Sequence, residues 1–265
     1  IGEGVFDALS ITIKLKEYQR IAMTRISGVG GGDGGASKFD IEALAVTDYS
    51  GNPNVGIFDI EVTEIPDIVP PTLLSGEIDL NGGTLTIFAS ETLDTIPLET
   101  NVDMAKIRLQ KTPLGFIEIA GASLDPKETD VIVFTLTEMQ RAHALQSSAT
   151  PGGDGTRLKL DVFAGAFLDV AQNLNLLSGN LSVVEIPDTT NPTITSVTID
   201  FGYGTLLIQA SETTLRVFDQ INASALFISN TTGSRDVVFT GATLMQSSPT
   251  QLKLKITEDQ RLEAT

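Results

Sequence analysis

The sequence repeats itself at an interval of 121 residues. The tetrapeptide Glu-Ile-Pro-Asp begins at residue 64 and again at residue 185, and residues 1–66 align without a gap to residues 122–187. A repeat of this length constrains the fold more than any other feature, because each copy is expected to adopt the same structural unit.

The same interval preserves short motifs throughout the chain. Gly-Gly-Asp-Gly begins at residues 31 and 152, and Ala-Ser-Glu-Thr begins at residues 89 and 210. After about residue 112 the interval falls to 120, so that Arg141 aligns with Arg20 on one side and with Arg261 on the other. One residue has therefore been lost in a loop near residues 112–115.

These alignments divide the chain into three pieces. Residues 1–66 are the back half of a first repeat, residues 67–186 are a complete central repeat, and residues 187–265 are the front part of a third repeat. The chain does not begin with Met and has no visible signal peptide, so we expect a mature or excised fragment. Two interpretations follow: the chain is a window from a longer tandem array, or each partial repeat is completed by a neighbouring copy, head to tail.

Period-two alternation of apolar residues predicts about seven strands in each repeat. An Asn-Gly-Gly turn at residues 81–83 between two such runs predicts a hairpin. This strand count is typical of an immunoglobulin-like β-sandwich. The predicted fold is all-β, a tandem array of such sandwiches with one short helix each, and the predicted strands of the central repeat are Thr72–Leu80, Thr84–Glu91, Ala105–Lys111, Phe116–Ala120, Val131–Leu136, Arg157–Ala164 and Leu181–Ile186.

A capping box predicts where each short helix begins. Thr137 is the expected N-cap of the central helix, with Gln140 reaching back to it, and residues 257–260 repeat the pattern. Lys16 lacks the capping hydroxyl, so we expect a weaker start in the first repeat. The Arg that follows in each copy is interpreted as a structural partner of a nearby carboxylate.

Prolines lie between the repeats, at residues 66, 70, 71, 187 and 192. Proline restricts the backbone and keeps the following strand extended, so these linkers are expected to be semi-rigid.

Composition excludes several functional classes. Because the chain has no Cys, it has no disulfide, thiolate zinc site or cysteine nucleophile, and its single His leaves His143 as the one candidate base of a Ser-His-Asp triad. A net charge of −17 disfavours binding to nucleic acid or to an anionic membrane surface, and no apolar stretch is long enough to insert into a membrane. We therefore expect no enzymatic activity. The counterparts of His143 are Ala22 and Glu263, so we interpret it as a surface residue.

Two further patterns are interpreted as structural. Residues 30–35 match G-x-G-x-x-G, but a helix precedes them and a strand follows, the reverse of a nucleotide fingerprint, so we expect a mobile loop. Glu91 and Asp94 could form a glycosidase pair, but their counterparts are Glu212 and Leu215, so the pair is not repeated.

Acidic residues near the repeat junctions are candidate calcium ligands, because hard oxygen ligands could rigidify a chain of domains. No D-x-D-x-D-G loop accompanies them, and acidic surfaces also serve solubility. The candidates are Asp48, Asp67, Asp169 and Asp188, with Glu91 and Glu212 nearby.

Three Asn-x-Ser/Thr sequons are candidate sites for N-linked glycans if the protein passes through a secretory pathway. They begin at Asn180, Asn222 and Asn230, and we expect Asn180 to lie at a turn before the last strand of the central repeat. Many Ser and Thr residues also leave O-glycosylation open.

Short motifs resemble bacterial Ig-like repeats of the SbsA or Big type. The resemblance covers nearly the whole chain and rests on residues 71–73 (PTL), 83–87 (GTLTI), 90–92 (SET) and 48–53 (DYSGNP), although residues 169–173 replace the Gly of the last motif. The resemblance implies an extracellular structural protein without enzymatic activity, a building block of a surface filament or stalk whose partners are neighbouring repeats or copies of itself. The alternative is an adhesin that binds carbohydrate or a cell surface through the loops around Asp48 and Asp169.

Overall fold

The computed structural model describes residues 4–7, 10–110, 115–213, 221–232, 234–248 and 250–264. Strands account for 39 % and helices for 14 % of the described residues, so the prediction of an all-β protein is confirmed. The α-helices are α1 (Glu17–Arg25), α2 (Leu98–Asn101), α3 (Glu138–Gln146) and α4 (Glu258–Glu263), and two 3-10 helices cover Met104–Lys106 and Ala223–Ala225.

The strands follow the alternating segments closely. In residues 1–66 they are β1 (Gly4–Asp7), β2 (Ser10–Ile13), β3 (Lys38–Ile41) and β4 (Ile57–Glu61). In the central repeat they are β5 (Leu73–Asp79), β6 (Thr84–Asp94), β7 (Ile107–Gln110), β8 (Phe116–Glu118), β9 (Ser123–Leu124), β10 (Glu128–Thr135), β11 (Lys159–Val162), β12 (Leu168–Asp169) and β13 (Ser178–Ile186). In the third repeat they are β14 (Ile194–Asp200), β15 (Thr205–Ala210), β16 (Phe227–Ile228), β17 (Val237–Val238), β18 (Thr243–Ser248) and β19 (Gln251–Lys255).

All seven predicted strands of the central repeat are present, with ends that differ by a few residues. Lys111, the predicted end of the third of them, lies outside the described residues. Three further elements lack a counterpart among the predicted ones: the strands β9 and β12, which have two residues each, and the short helix α2. Segments this short carry no recognisable periodicity.

Hydrogen bonds join the nine strands of the central repeat into one continuous sheet. Its order is β8-β7-β11-β13-β5-β6-β10-β9, and β12 pairs with β6. Within this sheet β13 pairs with β5 and so joins the strands β8-β7-β11 to the strands β6-β10-β9, and the immunoglobulin-like sandwich stays a prediction. These two strands run parallel, since Leu73 N donates to Ser178 Oγ at one end and Leu80 N donates to the Ile186 carbonyl at the other.

The hairpin β3–β4 reproduces β11–β13 residue for residue. Lys38 faces Glu61 as Lys159 faces Ser182, and both pairings shift register before the last partners. At the shift Asp59 and Asn180 adopt a positive φ, with values of 62° and 56°. The backbone N–H of Asp59 donates to the carboxylate of Asp40 at 2.7 Å, and that of Asn180 donates to the carboxylate of Asp161 at 2.9 Å. The 121-residue repeat therefore extends to backbone conformation.

Contacts between residues divide the chain into two compact units, and the limits of these units do not coincide with those of the sequence repeats. The first comprises Ile1–Ile78, Leu85–Thr135 and Arg157–Val184, and the second comprises Asp79–Thr84, Leu136–Thr156 and Glu185–Thr265. The domain limits at residues 66 and 186 thus remain predictions from the sequence repeat.

Each unit has its own apolar core. In the first unit the rings of Phe134 and Phe167 pack at 6.5 Å between centroids, among buried side chains that include Ile78, Leu85, Ile87, Leu93, Ile107, Leu109, Ile132 and Leu160. The smaller core of the second unit consists of Leu206, Ile208, Phe239, Ala242, Leu254 and Ile256. Within the described residues, no helix is both long and apolar enough to span a membrane.

Candidate functional site at the repeat junctions

The side chain of Arg141 on α3 is only 9 % exposed, and all three of its guanidinium nitrogens donate hydrogen bonds. Its guanidinium donates to Glu138 on the same helix (Nε to Oε2, 2.7 Å) and to the carbonyl of Leu80 in the first hairpin of its own repeat (2.8 Å). It also donates to Asp188 in the linker (2.8 Å) and to Glu212 in the third repeat (3.0 Å). One side chain therefore ties two consecutive repeats and their linker together. We call this the second junction.

Arg20 on α1 makes the equivalent contacts 121 residues earlier, at the first junction. It donates to Glu17 at 2.7 Å, to Asp67 in the linker at 2.6 Å and to Glu91 in the central repeat at 3.1 Å. Its side chain is 28 % exposed. The expectation that the recurring Arg pairs with carboxylates is confirmed, and the partners come from both adjoining repeats.

Local sequence explains how these groups meet. The Thr137 hydroxyl caps α3 by accepting from Gln140 N, and the Thr137 amide donates back to Gln140 Oε1. This predicted capping box fixes the start of the helix, so that Glu138 and Arg141 share one face three residues apart. At α1 the amide of Lys16 donates to Gln19, but no side-chain hydroxyl caps the helix, as predicted.

The helix glutamate also bonds directly to the next repeat. Glu17 accepts the backbone N–H of Thr92 at 3.1 Å, and Glu138 accepts that of Thr213 at 2.6 Å. This explains part of the repeated Ala-Ser-Glu-Thr motif. Its Glu binds the Arg of the preceding repeat, and the backbone N–H of its Thr binds the preceding Glu.

The glycine-rich loop is part of the first junction. A Cβ at Gly31 would lie 1.9 Å from the carbonyl oxygen of Val170, and one at Gly30 would lie 2.9 Å from that of Ala171. The interpretation of residues 30–35 as a mobile loop therefore needs correction at these two positions. Glycine here permits two backbones to approach closely, a role that the sequence pattern does not distinguish from loop flexibility.

Three carboxylates converge beside Arg20. Asp67, Glu91 and Asp169 each offer an oxygen, and these atoms lie within 4.8 Å of one another. Asp169 is fully buried, and both of its oxygens accept hydrogen bonds from Asn173, at 2.7 and 2.9 Å. These three residues are the ones that would hold a divalent cation, which would share Asp67 and Glu91 with the guanidinium.

Burial and mutual repulsion shift the titration of this cluster. Burial raises the pKa of Glu91 to about 7, against the attraction of Arg20 and with the help of the charges on Asp169 and Asp67. Burial also raises the pKa of Asp169. Glu17 differs, because its hydrogen bond with Arg20 lowers its pKa to about 2. The carboxylates that face Arg20 therefore differ in pKa, which is raised for Glu91 and lowered for Glu17.

At the second junction, too, one carboxyl has a raised pKa and another a lowered pKa. Burial raises the pKa of Glu212, and the charge of Asp188 adds to the effect. Burial also disfavours ionised Asp188, but hydrogen bonds from Arg141 and Thr190 outweigh it and lower the pKa of that carboxyl.

The four calcium candidates have three different environments. Asp67 and Asp169 meet at the first junction, and Asp188 lies against Arg141 at the second. Asp48 is exposed and accepts hydrogen bonds from Ser50 and Asn52 within its own turn. The calcium candidates and the carboxylate partner of each Arg were predicted separately from the sequence, and the structure shows that Asp67 and Asp188 belong to both sets. The common recurrence interval of the Arg and these carboxylates was the available signal.

The remaining candidates do not form a shared site. Glu91 bonds to Arg20, whereas Asp94 bonds to Arg25, so each carboxylate has its own cation. His143 is partly buried on α3.

All three sequon asparagines are exposed. Asn222 and Asn230 lie on either side of β16. Asn180 does not lie at a turn before the last strand. It lies within β13 at the register shift, because that strand begins at Ser178.

A scan against protein-family models finds no match to this chain, and a search of curated proteins finds no significantly similar sequence.

The first prediction concerns the close backbone approach at Gly31. Gly31 and Gly34 have nearly equal φ values, 84° and 86°, but nothing lies within 4 Å of a Cβ at Gly34. Either Ala substitution carries the cost of a left-handed residue, about 1 kcal/mol. Gly31→Ala should lower the free energy of unfolding in urea by about 1–3 kcal/mol more than Gly34→Ala, because it also forces two backbones apart. Equal losses in the two variants would contradict the packed loop.

The second prediction is a pH dependence from Glu91. Its pKa is raised in the folded state, so its contribution to stability is complete below the ordinary value of 4.5 and is lost as pH rises through about 7. Over that range the melting temperature of Glu91→Gln should fall less than that of the unsubstituted protein, because the amide does not ionise. Glu42→Gln, at an exposed loop position, is the matched control and should follow the unsubstituted protein. Parallel curves for all three would contradict the assignment.

Proposed function

We propose that this protein is a structural component of the cell exterior, a tandem array of immunoglobulin-like repeats that serves as a building block of a surface filament or stalk. The observation that carries the proposal is the recurrence of one junction. Arg20 and Arg141 bond to equivalent partners, Glu17, Asp67 and Glu91 in one case and Glu138, Asp188 and Glu212 in the other. Joining each repeat to the next by the same contact is what an extended array requires.

The distribution of polar groups supports a mechanical role. The carboxylates that recur between copies are engaged by arginines and backbone amides at the junctions. Groups bonded in this way fix the orientation of neighbouring segments, whereas an enzyme needs a polar constellation that can reach a substrate. We therefore propose no enzymatic activity.

A surface location fits the composition. The net charge of −17 would keep arrays from associating sideways, and the exposed Asn180, Asn222 and Asn230 are accessible to glycosylation. If calcium adds to the stability of the array, Asp67, Glu91 and Asp169 are the ligands we propose.

The second candidate function is an adhesin, and one observation favours it. Tyr49 is fully exposed beside Asp48 in a turn of the first repeat. Its counterpart Val170 is buried, however, and Asp169 is fully buried at the first junction. The buried loop around Asp169 is therefore not a candidate binding loop, and the loop around Asp48 is the one that the adhesin hypothesis keeps.

Negative-stain micrographs test the proposal. We expect the purified protein to show regularly spaced beads with an axial repeat of roughly 40 Å, the length of one sandwich. Compact particles without a repeat, together with carbohydrate binding that Tyr49→Ala abolishes, would contradict the structural role and favour the adhesin.

A further inference from the structure

The turn between β5 and β6 contains the only Asn-Gly pair in the sequence, Asn81-Gly82. Such a pair is chemically labile, because the backbone nitrogen that follows an asparagine can attack its side-chain carbonyl carbon and close a five-membered ring. Glycine leaves this nitrogen unhindered, since it has no Cβ. Both residues are exposed, so water reaches the turn. The sequence therefore places a candidate deamidation site at the tip of this hairpin.

The nitrogen that would attack is bonded to a carboxylate. The backbone N–H of Gly82 donates to Asp79 Oδ1 at 3.1 Å, and that of Asn81 donates to the same oxygen at 2.9 Å. A Cβ at Gly82 would lie 2.8 Å from Asp79 Oδ2, so the carboxylate also packs closely against this residue. Attack on Asn81 requires the Gly82 nitrogen to leave Asp79.

The carbonyl that would be attacked is bonded to the linker of the second junction. Asn81 Oδ1 accepts from Thr190 Oγ1 at 2.6 Å, and from the backbone N–H and hydroxyl of Thr189 at 3.2 and 3.4 Å. Ring closure requires the Asn81 side chain to turn onto its own backbone, whereas these three bonds fix it on the linker. The linker therefore opposes the reaction at its electrophile.

This arrangement is specific to the second junction. The residues equivalent to Thr189 and Thr190 in the linker of the first junction are Ile68 and Val69, which have no hydroxyl. The residue equivalent to Asn81 in the third repeat is Gly202.

The junction arginine holds the backbone of the same turn. Arg141 Nη1 donates to the carbonyl of Leu80 at 2.8 Å, and the backbone N–H of Leu136 donates to the carbonyl of Gly83 at 2.8 Å. These bonds fix the residues on either side of the Asn-Gly pair. Because ring closure changes the backbone torsions of the pair, loss of the Arg141 contact should make the turn more reactive.

We propose that Asn81 is a deamidation site that the contacts of the second junction protect, and that opening of this junction starts the modification. In the open state the Gly82 nitrogen bonds to Asn81 Cγ, and the side-chain nitrogen leaves as ammonia with the proton of the Gly82 N–H. One water molecule then adds to either carbonyl carbon of the cyclic imide and opens it. Position 81 is left as aspartate or isoaspartate, with one additional negative charge.

Both products would oppose closure of the junction. Asn81 lines a cavity of about 260 Å³ together with Glu138, Arg141 and Glu212, so a new carboxylate joins a site that already holds more carboxylates than cations. Isoaspartate also inserts one more carbon into the main chain between Leu80 and Gly83, whose carbonyls are both held. The modification is irreversible, so it would record that the junction has opened.

Peptide mapping by mass spectrometry tests the protection. The full chain is incubated at mildly alkaline pH, folded in one sample and unfolded in urea in another, and then digested at acidic pH, which suppresses ring closure during digestion. The unfolded chain should deamidate at Asn81. The folded chain should do so at least about tenfold more slowly, because the reaction proceeds only from the small open population.

Two variants test whether the junction provides this protection. Thr190→Val removes the shortest bond to Asn81 and should raise the folded rate about two- to tenfold, the factor that corresponds to one hydrogen bond. Thr193→Val is the matched control, since Thr193 is exposed in the same linker and its backbone N–H donates to Ser211, and it should react like the unsubstituted chain. Arg141→Met should also raise the rate, with circular dichroism to show that the chain remains folded.

The possible outcomes are distinct. Equal rates in the folded and the unfolded chain would mean that the exposed turn reacts freely, and would overturn the proposal. Rates of Thr190→Val and Arg141→Met no higher than that of Thr193→Val would mean that other contacts protect Asn81, and would also overturn it. An unfolded chain that does not deamidate at Asn81 would remove the site itself. None of these outcomes alters the proposed structural function, which the micrographs test separately.

Discussion

Both described repeat junctions depend on one guanidinium, and at the second junction this group is almost completely removed from water. Arg141 has its Nε and both of its Nη nitrogens bonded, and its partners come from its own helix, its own hairpin, the linker and the next repeat. Removing one partner of such a buried pair leaves a charge without compensation, which costs about 3–5 kcal/mol in comparable sites. Arginine suits this position because its planar fork offers several donors in fixed directions. The linker prolines limit the backbone conformations that the linker can adopt. The hydrogen bonds of the guanidinium stabilise one of these conformations.

The junctions carry more negative than positive charge, in keeping with the acidic composition of the chain. Near Arg20 the carboxylates of Glu17, Asp67, Glu91 and Asp169 surround a single cation. Burial raises the pKa of Glu91 and of Asp169, and repulsion between the carboxylates adds to the effect, whereas the hydrogen bond with Arg20 lowers the pKa of Glu17. In such a junction the hydrogen bonds of the guanidinium outweigh the repulsion between the carboxylates around it. The same repulsion, spread over the surface, would oppose lateral association if the repeats form the proposed array.

Many strands and helices could be predicted because the same sequence pattern occurs in more than one copy of the repeat. Alternation located the strands of the central repeat, and the capping box located the start of α3 at Thr137. The features that were missed arise from contacts between segments distant in sequence. Gly31 looks like a loop glycine until Val170 is placed against it, and Asp169 looks like a turn residue until β12 pairs with β6 and places it opposite Leu93 and beside Asp67. The continuous sheet likewise depends on a parallel pairing of β5 with β13, for which side-chain alternation carries no signal.

The most direct test of the Arg-centred junction is a double-mutant cycle between Arg141 and Glu212, with Arg141→Met and Glu212→Gln, read as the free energy of unfolding in urea. Because the two side chains are buried together, the junction predicts a coupling energy of about 1.5 kcal/mol or more, within the range for residues in contact. Losses that add to within about 0.5 kcal/mol would mean that the two residues act independently, and would contradict the junction as the element that joins the repeats.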